Sequence, residues 1–364
     1  MISAYAQAAL VLGDERYAAI AGRAADFVMT AMRKDGRLLR SYKDGVARHR
    51  AYLDDYAFMI AGLLDLYEAT GELRWLQQAA ALDEVLAAHY EDREAGGFFM
   101  TGDDHEALLA REKPNSDGAE PSGNSVQALN LLRLHELTTD DRYRQRAVRT
   151  LRAFGETLRR APAALSDMLL AVDYQLDAPK EIVIVMPASR ADAEPLLAEL
   201  RRTFVPNRAL IVASEGPPLA AQAASVPLLD GKTARGGRPT AYVCKHRVCA
   251  LPTAQPEVFA QQLRSPWNRW RWPRPADQVR LIASLCASSH APRRPPVALL
   301  PGASHSRGVG RSDSVRGRSS CPRDPVGRNF DLFSVERLLR TPAHFSRDPA
   351  PLGRPQPWHR SAAT

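Results

Sequence analysis

The strongest constraint on how this chain can fold is a pattern it repeats: GDERYAAIA at 13–21, GELRWLQQA at 71–79 and TDDRYRQRA at 139–147. The aligned aromatics are Tyr17, Trp75 and Tyr143, spaced 58 and 68 residues apart. Upstream of each lies an apolar run with helical periodicity, SAYAQAALVL, DDYAFMIAGLLDLYEA and NSVQALNLLRLHEL, which ends at a Gly or Thr followed by an acid. That acid, Asp14, Glu72 or Asp140, opens a second helix, where a side-chain acceptor and a negative charge suit the free backbone N–H groups.

The second helix of each pair is amphipathic, with Trp75, Ala79, Leu82 and Leu86, or Tyr143, Ala147, Leu151, Phe154 and Leu158, on one face. The first helix is apolar nearly all round and must be covered on several sides. The expected arrangement is an inner ring of first helices and an outer ring of amphipathic ones, as in a solenoid or a closed (α/α) toroid. The long connections at 33–53 and 89–121 favour the toroid. A further helix, AALSDMLLAVDYQLD at 163–177, starts a fourth repeat.

After Pro179 the period changes. EIVIVMP and RALIVAS have the pattern of buried strands, with the helical DAEPLLAELRRTF between them, which implies a small parallel sheet. PTAYVCKHRVCALPT adds a strand pair, and PEVFAQQLR a short helix with Pro256 in its first turn. The expected fold class is therefore mainly α: a partial (α/α) toroid over 1–178, a small α/β region over 179–264 and a disordered Arg/Pro-rich tail over 265–364.

Composition matters because the net charge of +8 invites a nucleic-acid reading. The last hundred residues hold 17 Arg, no Lys, 14 Pro and only 6 acids, so the basicity belongs to them, and residues 1–264 are mildly acidic at −3. Such a stretch is expected to be out-of-frame translation. Its rival reading is a stacking and charge-neutralising surface for single-stranded nucleic acid at Trp267, Arg269, Trp270, Arg271 and Trp272. No nucleic-acid or membrane partner is expected for the rest. No window approaches 18 apolar residues and the N-terminus lacks a signal-peptide pattern, so a cytoplasmic location is expected. Four cysteines make no disulfide framework, and reduced thiols are expected.

The stretches YLDDYAFMIAGLLDLYEATGELRWL, GGFFMTGDDHEALL and DGAEPSGNSVQALNLLRL, together with EIVIV and the AYVC-x4-C hairpin, resemble the spermatogenesis-associated protein 20-like family of thioredoxin-domain-containing proteins. The resemblance covers roughly residues 3–263. It implies a six-hairpin toroid similar to those of glycosidases and N-acylglucosamine 2-epimerases, preceded in full-length relatives by a thioredoxin-like domain. The resemblance reaches only the C-terminal part of such relatives, so this chain is expected to lack that domain and the first toroid repeats and to be a fragment with uncovered inner-helix surface.

In such a toroid the cavity opens where the inner helices begin. Asp54 and Asp55 open one inner helix and Asp117 and Glu120 precede the next, which makes these four the candidate catalytic carboxylates. One protonated and one ionised acid facing a shared cavity is what glycosidic bond cleavage requires. Candidate substrate contacts are Tyr56, Ser122 and Asn124 at the same helix starts, and Phe98, Phe99, Asp103, Asp104 and His105 on the loop above them. The competing structural reading is that Asp54 or Asp55, and Ser122 or Asn124, cap their helices, and that the two Phe pin a β-ribbon to the toroid. His105 is the candidate base for an epimerase, but His49, His89 and His135 supply no clear second member, the last two being expected to face solvent. A metal site from Asp103, Asp104 and His105, or from Cys244, His246 and Cys249, has too few convergent ligands, so no metal and no cofactor are assigned.

Two functions follow: a carbohydrate-binding or carbohydrate-modifying protein, or a non-catalytic helical scaffold that partners a thioredoxin-like domain. A small carbohydrate and that domain are the corresponding partners.

Overall fold

The computed structural model describes residues 1–106, 109–177 and 179–265. The Arg/Trp cluster, Cys286, Cys321 and the tail expectation lie outside the described residues.

The repeat pattern builds helical hairpins. Helices α1 (Ile2–Leu12) and α2 (Glu15–Ala31) form the first, α3 (Leu53–Thr70) and α4 (Leu73–His89) the second, α5 (Gly123–Thr138) and α6 (Asp141–Ala153) the third. A short α7 (Gly155–Arg160) precedes α8 (Ser166–Asp177), the inner helix of a fourth. Each of the first three inner helices ends on a left-handed residue, Gly13, Gly71 or Thr139, at φ 70°, 75° and 58°. Asp14 and Asp140 then cap the outer helix by accepting the N–H of Arg16 and Arg142. Glu72 instead pairs with Arg74, and its N–H donates to the Thr70 hydroxyl.

Inner helices α1, α3, α5 and α8 lie side by side in chain order, with α2, α4 and α6 outside them. The result is an arc of a partial (α/α) toroid. Helix α3 is buried on nearly every face, whereas α1 buries only Ala6 and Leu10 and leaves Val11 and Leu12 exposed. Outer-helix stripes match the expected periodicity: Trp75, Ala79, Leu82 and Leu86 are fully buried. The third outer helix breaks at Phe154, however, where expectation carried it to Leu158.

Buried charges tie the hairpins together. Arg133 of α5 pairs with Asp65 (2.8 Å) and Glu68 (3.1 Å) of α3. Arg146 of α6 grips the wholly buried Asp83 of α4, which also accepts from Gln127 of α5 at 2.7 Å.

Residues 33–50, expected as loop, form an antiparallel meander of β1 (Arg33–Lys34), β2 (Arg37–Lys43) and β3 (Val46–Arg50). Its turns are Asp35-Gly36 and Asp44-Gly45, all four residues at positive φ, the geometry that Asp-Gly pairs adopt in two-residue hairpins.

The second sheet has the order β5-β4-β6-β7, with β4 (Lys180–Met186) parallel to β5 (Arg208–Ser214) and antiparallel to β6 (Thr240–Lys245), which pairs with β7 (Val248–Cys249). Helix α9 (Glu194–Arg202) connects the parallel pair, α10 (Pro217–Ala223) follows β5, and α11 (Pro256–Arg264) packs against α9 and β6. This layer meets the C-terminal ends of α3 and α5. Gln222 of α10 joins this layer to the end of α3, accepting from the Tyr67 hydroxyl (3.2 Å) and donating to the Gly71 carbonyl (3.0 Å). Gly71 lies so close to the Val212 carbonyl that a Cβ there would collide with it.

The expectation of reduced thiols is corrected at this sheet: Cys244 and Cys249 face one another across β6 and β7 and are disulfide-bonded.

Candidate functional site

The N-terminal ends of α3, α5 and α8 gather at the end of the arc away from the α/β layer. Asp54 accepts the Gly123 N–H at 2.8 Å, capping the next inner helix rather than its own. Gly123 has room only for hydrogen, since a Cβ would strike that carboxylate. Asp55 closes a capping box by accepting the Tyr52 N–H (2.8 Å) and pairs with Arg40 (2.9 Å). Asp117 accepts three donors, the Ser122 N–H (2.9 Å) and Ser125 hydroxyl (2.8 Å) of α5 and the Asp167 N–H (2.9 Å) of α8. Ser122 caps α5 through Ser125 N–H.

These surroundings separate the acids. Burial pushes the Asp54 carboxyl up, helped by the charges of Asp55 and Glu120, against the Gly123 N–H. Burial acts the same way on Asp117, but its three donors outweigh it and hold the carboxyl below its ordinary range. Glu120 is exposed.

Several candidate contacts are corrected by burial. Phe98 and Asn124 are fully enclosed: the Asn124 amide accepts from the Phe98 N–H (2.8 Å) and donates to the Phe98 carbonyl (3.0 Å), which anchors the 89–121 loop to α5. Tyr56 is equally buried and its hydroxyl accepts the Leu38 N–H (2.9 Å), fastening the meander to α3. Their faces are spent on the core and none is open to a ligand. Phe99 is only partly buried and lies beneath Arg111 and Lys113.

Above the helix starts, Asp104 holds both Arg37 and Arg50 of the meander. Burial works against the Arg37 charge, yet the Tyr56 and Tyr90 hydroxyls and Asp104 raise its pKa overall. His105 bonds to the Tyr90 hydroxyl at 3.1 Å; burial lowers its pKa, and Arg37, Arg50 and Arg111 add to that against the charge of Asp104. Asp103 pairs with His89 Nδ1 at 2.7 Å. His89, Asp103 and Asp104 bring ligand atoms within 4.8 Å of one another, a grouping in which His89 replaces the expected His105. Asp104 in that trio is already neutralised by two arginines. His135, expected in solvent, is largely buried beside the Asp140 carbonyl.

Sequence reading missed Arg37, Arg40 and Arg50, which reach the site only because the meander folds over it. The two Asp-Gly turns were the available signal.

Helical hairpins in an inner and outer row, with acids joining the starts of successive inner helices, define the class as an (α/α)-toroid segment carrying a small α/β layer. No protein-family model matches the chain. Spermatogenesis-associated protein 20 of Homo sapiens is 36% identical over 267 residues, covering 70% of this chain and 34% of that protein. The Rattus norvegicus protein of the same name is 36% identical over 270 residues, and an uncharacterized Caenorhabditis elegans protein 28% over 266. The chain belongs to the spermatogenesis-associated protein 20 family, and spans about a third of the length of the curated relatives it matches. Among solved structures, a cellobiose 2-epimerase from Spirochaeta thermophila matches with a TM-score of 0.35 and 20% identity over 44% of this chain and 41% of that one. No helix among the described residues is long and apolar enough to cross a membrane.

Proposed function

We propose that the described segment is a non-catalytic helical scaffold within a longer protein, holding a concave row of inner helices in register and presenting its α1 edge to another folded part of that protein. The observation that carries this reading is Asp117, whose carboxylate accepts three donors from the starts of two inner helices. An acid saturated in this way holds helices together, and its lowered pKa makes it a poor proton donor. The half-covered α1, beside an α3 buried on nearly every face, gives the scaffold an apolar edge for a further helical pair, and relatives about three times as long as the matched segment have the chain to supply one. A thioredoxin-like domain is the partner such a scaffold would carry.

The test compares Asp117→Asn with the parent chain for stability and for binding of glucose, mannose and cellobiose by calorimetry, and titrates the chain with a separately produced thioredoxin-like region of a relative. The scaffold reading expects lower stability, no saccharide heat and binding of the added region. Saccharide binding that Asp117→Asn abolishes without loss of stability would overturn it.

A carbohydrate-binding reading retains one specific support, Asp54. Its second carboxylate oxygen has no hydrogen-bond partner among the described residues, and its raised pKa and proximity to Glu120 suit a hydroxyl-bearing ligand. Saccharide binding that is lost in Asp54→Asn, with stability intact, would favour this second reading.

A further inference from the structure

On the far side of the arc, the end of α5, the start of α6, α8 and the β6–β7 hairpin enclose a cavity of about 280 Å³. Three carboxylates line it, Glu136 from α5, Asp141 from α6 and Glu181 from β4, and Asp141 lies beside His135 at 3.8 Å. Glu181 is 3% exposed; its Oε1 accepts the Arg247 N–H at 3.1 Å, while its Oε2 has no partner. A buried carboxylate oxygen without a donor is costly, because water is lost and nothing replaces it. No hydrogen bond joins Glu136 to Glu181, so the pair does not relieve itself. Burial and then the charge of Glu181 push Glu136 up to about 7 against the pull of Arg144 and Arg247, and burial raises Glu181 against the Arg247 N–H and charge.

The rim carries the opposite charge. Arg144 of α6 and Arg247 of the hairpin line the same cavity; their charges reach Glu136, and that of Arg247 reaches Glu181, but neither guanidinium closes a hydrogen bond or ion pair among the described residues. The hairpin places Arg247 at a conformational cost: His246 and Arg247 both occupy the left-handed region, at φ 51° and 63°, where non-glycine residues are strained. The Cys244–Cys249 disulfide closes this same hairpin. The five acidic and histidine side chains of the cavity do not bring three ligand atoms together, since the one such grouping among the described residues is elsewhere. A multidentate metal site is therefore not what the geometry offers. Three N–H donors on one cationic nitrogen would satisfy Glu136 and Glu181 at once.

We propose that this cavity binds a small zwitterionic amine, an α-amino acid by chemical class, with its ammonium on Glu136 and Glu181 and its carboxylate on Arg144 and Arg247. The volume lies just below the range of drug-sized pockets and suits a ligand of that size.

The experiment is calorimetry on the whole chain with the standard amino acids singly at millimolar concentration, alongside ethanolamine, propionate and magnesium chloride. At least one amino acid is expected to bind, ethanolamine about tenfold more weakly, and propionate and magnesium not measurably. Glu181→Gln, which keeps the side-chain shape, is expected to weaken that binding about 10- to 100-fold, the range for a lost charged hydrogen bond. Arg144→Ala alters an exposed rim residue, so folding survives, and it is expected to weaken amino-acid binding while leaving ethanolamine unchanged. Absence of binding by every amino acid would overturn the proposal, as would binding indifferent to Glu181→Gln or magnesium binding that depends on Glu181.

Discussion

Replacing Arg146 by Met isolates what the buried charges of this fold are worth. Asp83 is wholly buried in α4, and Arg146 of α6 is its cationic partner, with Gln127 of α5 as its remaining donor at 2.7 Å. Burial raises the Asp83 carboxyl against the pull of Arg146, so the arginine is what makes its charge tolerable there. Arg146 also pairs with Glu91 at 2.7 Å, but Glu91 keeps Arg149 and loses less. Removing one member of a buried pair costs about 3–5 kcal/mol. For a folded region of this size, at about 2–4 °C per kcal/mol, that is a fall in Tm of roughly 10 °C. Urea denaturation followed by far-ultraviolet circular dichroism measures it. The double variant Asp83→Leu with Arg146→Met removes the stranded charge and should recover at least half of the loss. A cost for Arg146→Met below about 1 kcal/mol, or a double variant no better than the single one, would refute the claim that this pair locks α4 to α6.

Gly71→Ala should cost more than about 2 kcal/mol by chemical denaturation, because the residue is left-handed and its Cβ would meet the Val212 carbonyl. Glu136 carries a folded pKa of about 7 against an ordinary 4.5, so the native state holds the extra proton between those values and stability falls as pH rises through that window. Glu136→Gln should abolish that fall, a difference of no more than about 3 kcal/mol between pH 4.5 and 8, read from denaturation midpoints across pH. Reducing Cys244–Cys249 should lower stability by about 2 kcal/mol, the chain-entropy value for so short a loop, seen as a Tm decrease on adding a thiol reductant.

The hairpins were legible because their turns are local. Gly13, Gly71 and Thr139 supply the left-handed cap, and Asp14 and Asp140 cap the following helix, so position and chemistry coincide within three residues. The parallel β4–β5 pair was equally legible from two short apolar runs around a helical one. The meander was not, because its strands are mostly exposed and show no alternation of buried and exposed residues; only the Asp-Gly turns betrayed it. The candidate acids were located at the correct helix ends, yet what they do depends on donors distant in sequence. Asp54 reaches Gly123, and Asp117 reaches Asp167. Phe98 and Asn124 misled for the same reason, as each is the other's partner inside the core. The charges at Asp83 and Arg146 lie on helix faces that a periodicity argument takes for solvent, and tertiary pairing overrides it.

The scaffold account stands or falls on what Asp117 is for. Hydrogen exchange of the Ser122 and Asp167 amides, compared between the parent chain and Asp117→Asn and paired with a cellobiose titration of both, tests this directly. The account predicts that protection at the two helix starts falls together in the variant while neither protein binds the sugar. Unchanged protection at both amides, with cellobiose bound by the parent and not by the variant, would contradict it.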